Sequence, residues 1–192
     1  MRMDRELIIF IDCGDTIVDE STQVFAQGEI VLRADCIPGS DKMLRQLHRE
    51  GYRIALVADG RTESFRNIFR ELKLGHIFEA WVISEEVGVC KPDARMFLTA
   101  LDKMHLTQED LGRIVMIGNN LKRDVLGANR MGMTSILLSF SPRYVMQPET
   151  AEEIPDYVVA MPDQLPDLIH QLELQVKNRR ILAQSQGSGV AL

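Results

Sequence analysis

Apolar runs of strand length recur along the chain: LIIFID at 7–12, RIALVA at 53–58, AWVIS at 80–84, RIVMIG at 113–118, SILLSF at 135–140 and DYVVA at 156–160. Neighbouring positions within each run are apolar, the pattern of a strand buried on both faces and therefore of a parallel sheet covered by helices. Amphipathic periodicity predicts helices in the intervals, at 40–50, 62–73, 93–104, 121–131 and 163–175. Pro38-Gly39 precedes the first of them, while Gly51, Gly75 and Gly132 stand where helices should close. Thr107 with Asp110 marks a capped turn at 107–112. This alternation predicts an α/β fold: a doubly wound, Rossmann-like parallel sheet with helices on both faces, whose ligands sit beyond the carboxyl ends of the strands.

Residues 20–37 break the alternation with two short runs about Gly28, which reads as a small β-hairpin flap after the first strand. The tail begins helix-like at 175 but ends in small polar residues, so a single α/β domain over 1–176 and a flexible tail at 177–192 are expected. No internal repeat is visible.

Composition narrows the function classes. The chain has 192 residues, 45% of them hydrophobic, and a formal net charge of -6, which disfavours nucleic acid as a partner because phosphate backbones reward clustered Lys and Arg. Cys13, Cys36 and Cys90 form no CxxC pair and fit reduced thiols in a cytoplasmic protein, with Cys13 and Cys90 read as buried packing residues. The apolar run behind MRMDREL is too short for a signal-peptide core or a membrane span, so no membrane association is expected.

In such a fold the polar residues that follow each strand converge on one rim. Here they are Asp12, Gly14 and Asp15 after the first strand, Asp59, Gly60 and Arg61 after the second, Lys91 in SEEVGVCKPD, and Gly118, Asn119, Asn120 and Asp124 after RIVMIG. Carboxylates, a lysine and amides gathered at one edge suit a magnesium ion and a phosphoryl group. Thr62 reads as the N-cap of the helix at 62–73, Arg61 could reach an anionic substrate, and the SPRY segment with Arg143 and Tyr144 reads as a structural turn, with substrate contact as its alternative.

These segments resemble the haloacid dehalogenase superfamily. LIIFIDCGDT, RIALVADG, Lys91 in CKPD and IGNNLKRDVLGANRMGM follow the order of that family's four motifs across roughly residues 7–160. The resemblance implies a capless or minimal-cap, Mg2+-dependent phosphatase that hydrolyses a phosphoric monoester or anhydride through an aspartyl-phosphate on Asp12. Lys91 would hold the phosphoryl oxygens together with Asp59, Gly60, Arg61 and Asn119. Asp12, the Gly14 carbonyl, Asn119 and Asp124 would hold the metal.

Three positions depart from the family pattern. Gly14 stands where the family has its acid/base aspartate, with Asp15 one place later; Ala58 replaces the hydroxyl of the second motif, and Asn119 replaces a carboxylate of the fourth. Loss of general acid–base help lowers a rate by about 10²–10⁴, so two alternatives stand open. Asp15 turns into the site and takes over the role, or the protein is a catalytically weakened, binding or regulatory member. A dehalogenase is a third reading. Without a cap, the phosphorylated substrate is either a macromolecule, or a small molecule in a pocket walled by a second subunit of a homo-oligomer.

Overall fold

A computed structural model describes residues 5–26 and 28–187. β1 (Ile8–Ile11) leads to a short antiparallel ribbon, β2 (Val24–Phe25) and β3 (Val31–Arg33). Then follow α1 (Ser40–Arg49), β4 (Arg53–Ala58), α2 (Thr62–Leu72), β5 (Ala80–Ile83), the single-turn α3 (Ser84–Val87) and α4 (Ala94–Lys103). After β6 (Ile114–Gly118), a π-helical turn at Leu121–Val125 runs into α5 (Leu126–Met131), followed by β7 (Thr134–Leu138), β8 (Tyr157–Val159) and α6 (Leu165–Gly187).

All six main strands lie parallel in one sheet, in the order β5-β4-β1-β6-β7-β8. The chain winds outward from β1 through β4 and β5, returns, and winds the other way through β6, β7 and β8. The switch point therefore falls between β1 and β6, where the strand ends splay and leave a crevice.

Alternate side chains of each strand feed two apolar layers, as the pleat requires. Ile9 and Ile11 join Ile54, Leu56, Val115 and Ile117 against residues of α1, α2 and α6, among them Leu44, Phe69 and Ile169. Ile8 and Phe10 join Val57, Val82 and Met116 against Phe97 and Leu101 of α4 and Ala128 of α5. Each such side chain contributes about 1.5–3 kcal/mol when fully buried, so the central strands fix the frame that holds the strand ends.

The helix ends repeat the expected signals with two corrections. Gly39, Gly51 and Gly132 take positive φ at 88°, 92° and 76°, and Thr107 and Asp110 form a reciprocal capping box. Gly75, however, does not close α2; Lys73 takes the left-handed position at φ 55°. Thr62 lies inside the first turn of α2 rather than capping it, and its N–H donates to Glu85 Oε2 at 2.9 Å, so a carboxylate from α3 does the capping.

α6 extends well past the helix expected at 163–175, reaching Gly187, and residues 188–192 lie outside the described residues. Its buried Glu173 accepts hydrogen bonds from the N–H groups of Leu7 (2.8 Å) and Glu6 (3.2 Å), clamping the helix to the start of β1. Among the described residues, no helix is long and apolar enough to cross a membrane.

Candidate active site at the carboxyl ends of β1, β4 and β6

β1 delivers Asp12 to the switch point, where its N–H donates to the Ile117 carbonyl of β6 at 2.9 Å. The chain then reverses sharply. The Cys13 carbonyl accepts from Ile17 (2.7 Å) and Val18 (3.1 Å), and Asp15 adopts a left-handed φ of 46°, a conformation that Asp tolerates better than most residues. This turn carries the Asp15 side chain away from Asp12. It is 0% exposed, Oδ1 accepts from Glu20 N at 3.0 Å, and Oδ2 accepts from Arg143 Nε. Asp15 therefore does not join the cavity, because both of its oxygens are engaged behind it.

The turn leaves Gly14 bare on the open side, and another carboxylate fills that space. A Cβ on Gly14 would stand 1.9 Å from Glu20 Oε1 and 2.7 Å from Glu20 Cδ. Glu20 Oε2 lies 3.3 Å from Arg143 Nε, so the guanidinium spans Asp15 and Glu20 together. Burial, then the charge of Asp15, pushes the Glu20 carboxyl above its ordinary value, against the pull of Arg143.

Lys91 links the strand ends. Its ammonium, with a side chain only 1% exposed, donates to Asp12 Oδ1 at 2.8 Å, Asp124 Oδ1 at 2.6 Å and the Val57 carbonyl at 2.8 Å. Its backbone N–H donates to Asp59 Oδ1 at 3.0 Å. Burial by itself would depress the ammonium, but Asp12, Asp124 and Asp59 outweigh it and keep Lys91 charged. Burial, and then the charge of Asp12, raises Asp124 in spite of Lys91. One cation is thus shared by more carboxylate than it neutralises.

Asp124 reaches this point because the turn at Leu121–Val125 wraps around the Asn120 carbonyl, which accepts from Asp124 N at 2.9 Å, while Asp124 Oδ2 accepts from Asn120 N at 3.1 Å. Gly118 is needed beneath it, since a Cβ there would stand 2.2 Å from Asp124 Cγ. Asn119 is 2% exposed and its Nδ2 has no hydrogen-bond partner among the described residues. A buried amide left so is costly unless a ligand completes it.

A cavity of about 290 Å³ opens over Asp12. Gly14, Glu20, Asp59, Gly60, Arg61, Lys91, Asn119 and Asp124 line it, with Arg123, Tyr144 and the ribbon residues Phe25, Glu29 and Val31. The rim residues read from the sequence are therefore found on this wall, except Asp15 and Gly118, the latter packed beneath Asp124. Arg61 is there but tied by ion pairs to Glu85 at 2.8 Å and Glu29 at 3.7 Å. Cys13 is buried with its thiol pushed well up by burial, whereas Cys90 is exposed rather than packed. Glu20 and Arg123 join the wall without a sequence expectation behind them, and Tyr144 lines the cavity where the sequence favours a structural turn. Glu20 and Tyr144 come from loops whose course no periodicity encodes; Arg123 shares a turn with Asp124, and that proximity was its available signal.

The oxygen donors around Asp12 and Asp124 match a hard dication. Magnesium takes one or two carboxylates, keeps several waters and accepts phosphate oxygens. No cluster of three or more His, Cys, Asp or Glu side chains that could hold a metal occurs among the described residues.

Residues 11–132 match the haloacid dehalogenase-like hydrolase family, and the chain belongs to it. It is 31% identical over 130 residues to a glyceraldehyde 3-phosphate phosphatase of Methanopyrus kandleri, covering 67% of this chain and 54% of that one. It is also 31% identical over 119 residues to a phosphoserine phosphatase of Thermus thermophilus, covering 62% of this chain and 45% of the relative. The chain thus spans about half the length of these curated relatives. A solved structure of an uncharacterized protein from Listeria monocytogenes serotype 4b superposes with a TM-score of 0.71 at 19% identity, over 87% of this chain and 98% of that chain, and supports the fold alone.

Proposed function

We propose that the protein is a magnesium-dependent phosphatase that attacks phosphorus with Asp12. The observation that carries this reading is the buried Lys91 ammonium joining Asp12 to Asp124 in the wall of the cavity, at 2.8 and 2.6 Å. Lys91 engages Oδ1 of Asp12, and Oδ2 accepts no hydrogen bond among the described residues, which suits Oδ2 to the attacking role. Attack forms an aspartyl-phosphate and releases the alcohol; water then cleaves the acyl phosphate. Lys91 opposes the charge that gathers on the phosphoryl oxygens in both steps. Asp12, the Gly14 carbonyl, Asn119 and Asp124 would hold the magnesium, which when bound supplies further charge neutralisation to those oxygens.

The cavity volume fits a small phosphate monoester, the class to which the named substrates of both curated relatives belong. The ribbon supplies one wall, and a second subunit or a bulky substrate would supply the other. The expected outcome is phosphate release from an activated aryl phosphate that requires magnesium, stops on chelation and falls at least about 10³-fold in Asp12→Asn. Colorimetric phosphate assay checks it, and activity unchanged in Asp12→Asn refutes it.

A reading as a binding protein without turnover draws on one observation, the failure of Asp15 to reach the cavity. Saturable binding of magnesium with beryllofluoride and no hydrolysis across a phosphate ester panel would favour it.

A further inference from the structure

We infer that Glu20 is the general acid and base of this site, acting from the space that a side chain at residue 14 would otherwise fill. The inference rests on the phosphatase reading and extends it to the proton that such a reaction must move. An alcohol leaves phosphorus poorly as an alkoxide, so some group must supply its proton.

The carboxylates around the cavity are not equivalent. Asp12 and Asp124 both accept from Lys91 Nζ, and Asp59 Oδ1 accepts from Lys91 N. Asp15 is sealed behind the turn. Glu29 belongs to the ribbon, its side chain is 85% exposed and it pairs with Arg61. Glu20 remains: it lines the same cavity as Asp12, and its Oε1 hangs over Gly14, two residues beyond the nucleophile.

Its placement is built, not incidental. Glu20 opens a 3-10 turn at Glu20–Thr22 whose second N–H, that of Ser21, donates to the capping Asp19 Oδ1 at 2.8 Å. Asp15 Oδ1 holds the Glu20 N–H, and Arg143, itself fixed by Asp15 Oδ2, holds Oε2. Only Oε1 is left toward the cavity. Asp15 is thus a positioning residue: it acts on the reaction by fixing both the backbone and the carboxylate of Glu20.

The step balances. As Asp12 Oδ2 forms its bond to phosphorus and the ester P–O bond breaks, the proton of the Glu20 carboxylic acid passes to the leaving oxygen and the alcohol departs. The Glu20 carboxylate then takes a proton from water as the water oxygen bonds to phosphorus. The P–O bond to Asp12 breaks, phosphate leaves, and both side chains return to their starting states.

The test is a leaving-group series read on kcat/KM, which reports the first phosphoryl transfer. In Glu20→Gln, kcat/KM should fall about 10²–10³-fold on an alkyl phosphate, within the usual range for acid–base help. On p-nitrophenyl phosphate, whose leaving group needs no proton, it should stay within about threefold while kcat falls as the second step slows. Glu20→Ala should lose the alkyl ester in the same way. Adding Gly14→Asp to Glu20→Ala, which puts a carboxylate into the vacated space, should restore at least about tenfold. Equal losses on the two esters, no loss on either, or no gain in the double variant would overturn the assignment. Wild-type turnover that dies in Asp12→Asn keeps the phosphatase reading standing through any of those results, and absence of wild-type turnover overturns both.

Discussion

Lys91 sets the energetics at the scale of single residues. Its ammonium is buried between the carboxylates of Asp12 and Asp124, and removing one member of a buried charge cluster costs about 3–5 kcal/mol because the remainder is left uncompensated. Lys91→Met should therefore abolish turnover and also lower stability by about that amount, with part of the loss recovered on adding Asp124→Asn; urea unfolding measures both. Asp12, Lys91 and Asp124 were legible in the sequence because each follows a recognisable strand end or a motif of fixed order. Glu20 was not, since its course depends on the left-handed turn at Asp15 and on an arginine 128 residues away from that aspartate. Asp15 stands one residue too late to replace the carboxylate missing at Gly14, and its left-handed turn sends it to the wrong side.

At the scale of elements, strands were the most readable, because double-sided burial leaves uninterrupted apolar runs that turns must bracket. β1, β4 and β6 fall within the expected segments. Helix ends were less so: the capping of α2 by Glu85 and the left-handed Lys73 depend on tertiary neighbours rather than local pattern. The same is true of the Glu173 clamp between α6 and β1. Glu173→Gln puts an amide where two N–H groups converge, and should cost about 1–3 kcal/mol near pH 7. Although burial pushes the Glu173 carboxyl up, the Leu7 N–H, Lys177 and the Glu6 N–H outweigh it and hold the group below its ordinary value. A group depressed on folding stabilises above its unfolded pKa, about 4.3, and ceases to as pH falls through the lower folded value. Denaturation profiles of wild type and Glu173→Gln should accordingly draw together only as pH falls below the ordinary carboxylate range.

Across the whole molecule, the site is an assembly of distant pieces: Asp12 from β1, Lys91 from the segment before α4, Asp124 from the turn before α5. A ligand that binds only this assembly stabilises the fold by linkage, about 2.7 kcal/mol at a hundred times its dissociation constant. For a chain of this size that is about 5–10 °C in Tm. Magnesium with beryllofluoride should produce such a shift in the wild type by scanning calorimetry, and none in Asp12→Asn. The strand order followed from the alternation of elements only as a class, because which strand pairs with which is decided by packing between residues far apart. That remoteness bears on how the site comes into being. Asp12, Lys91 and Asp124 all precede β7 in the chain, whereas the guanidinium that holds the Glu20 carboxylate comes from the segment after it. The last anchor of the Glu20 side chain is thus contributed by chain that lies beyond five of the six strands of the main sheet.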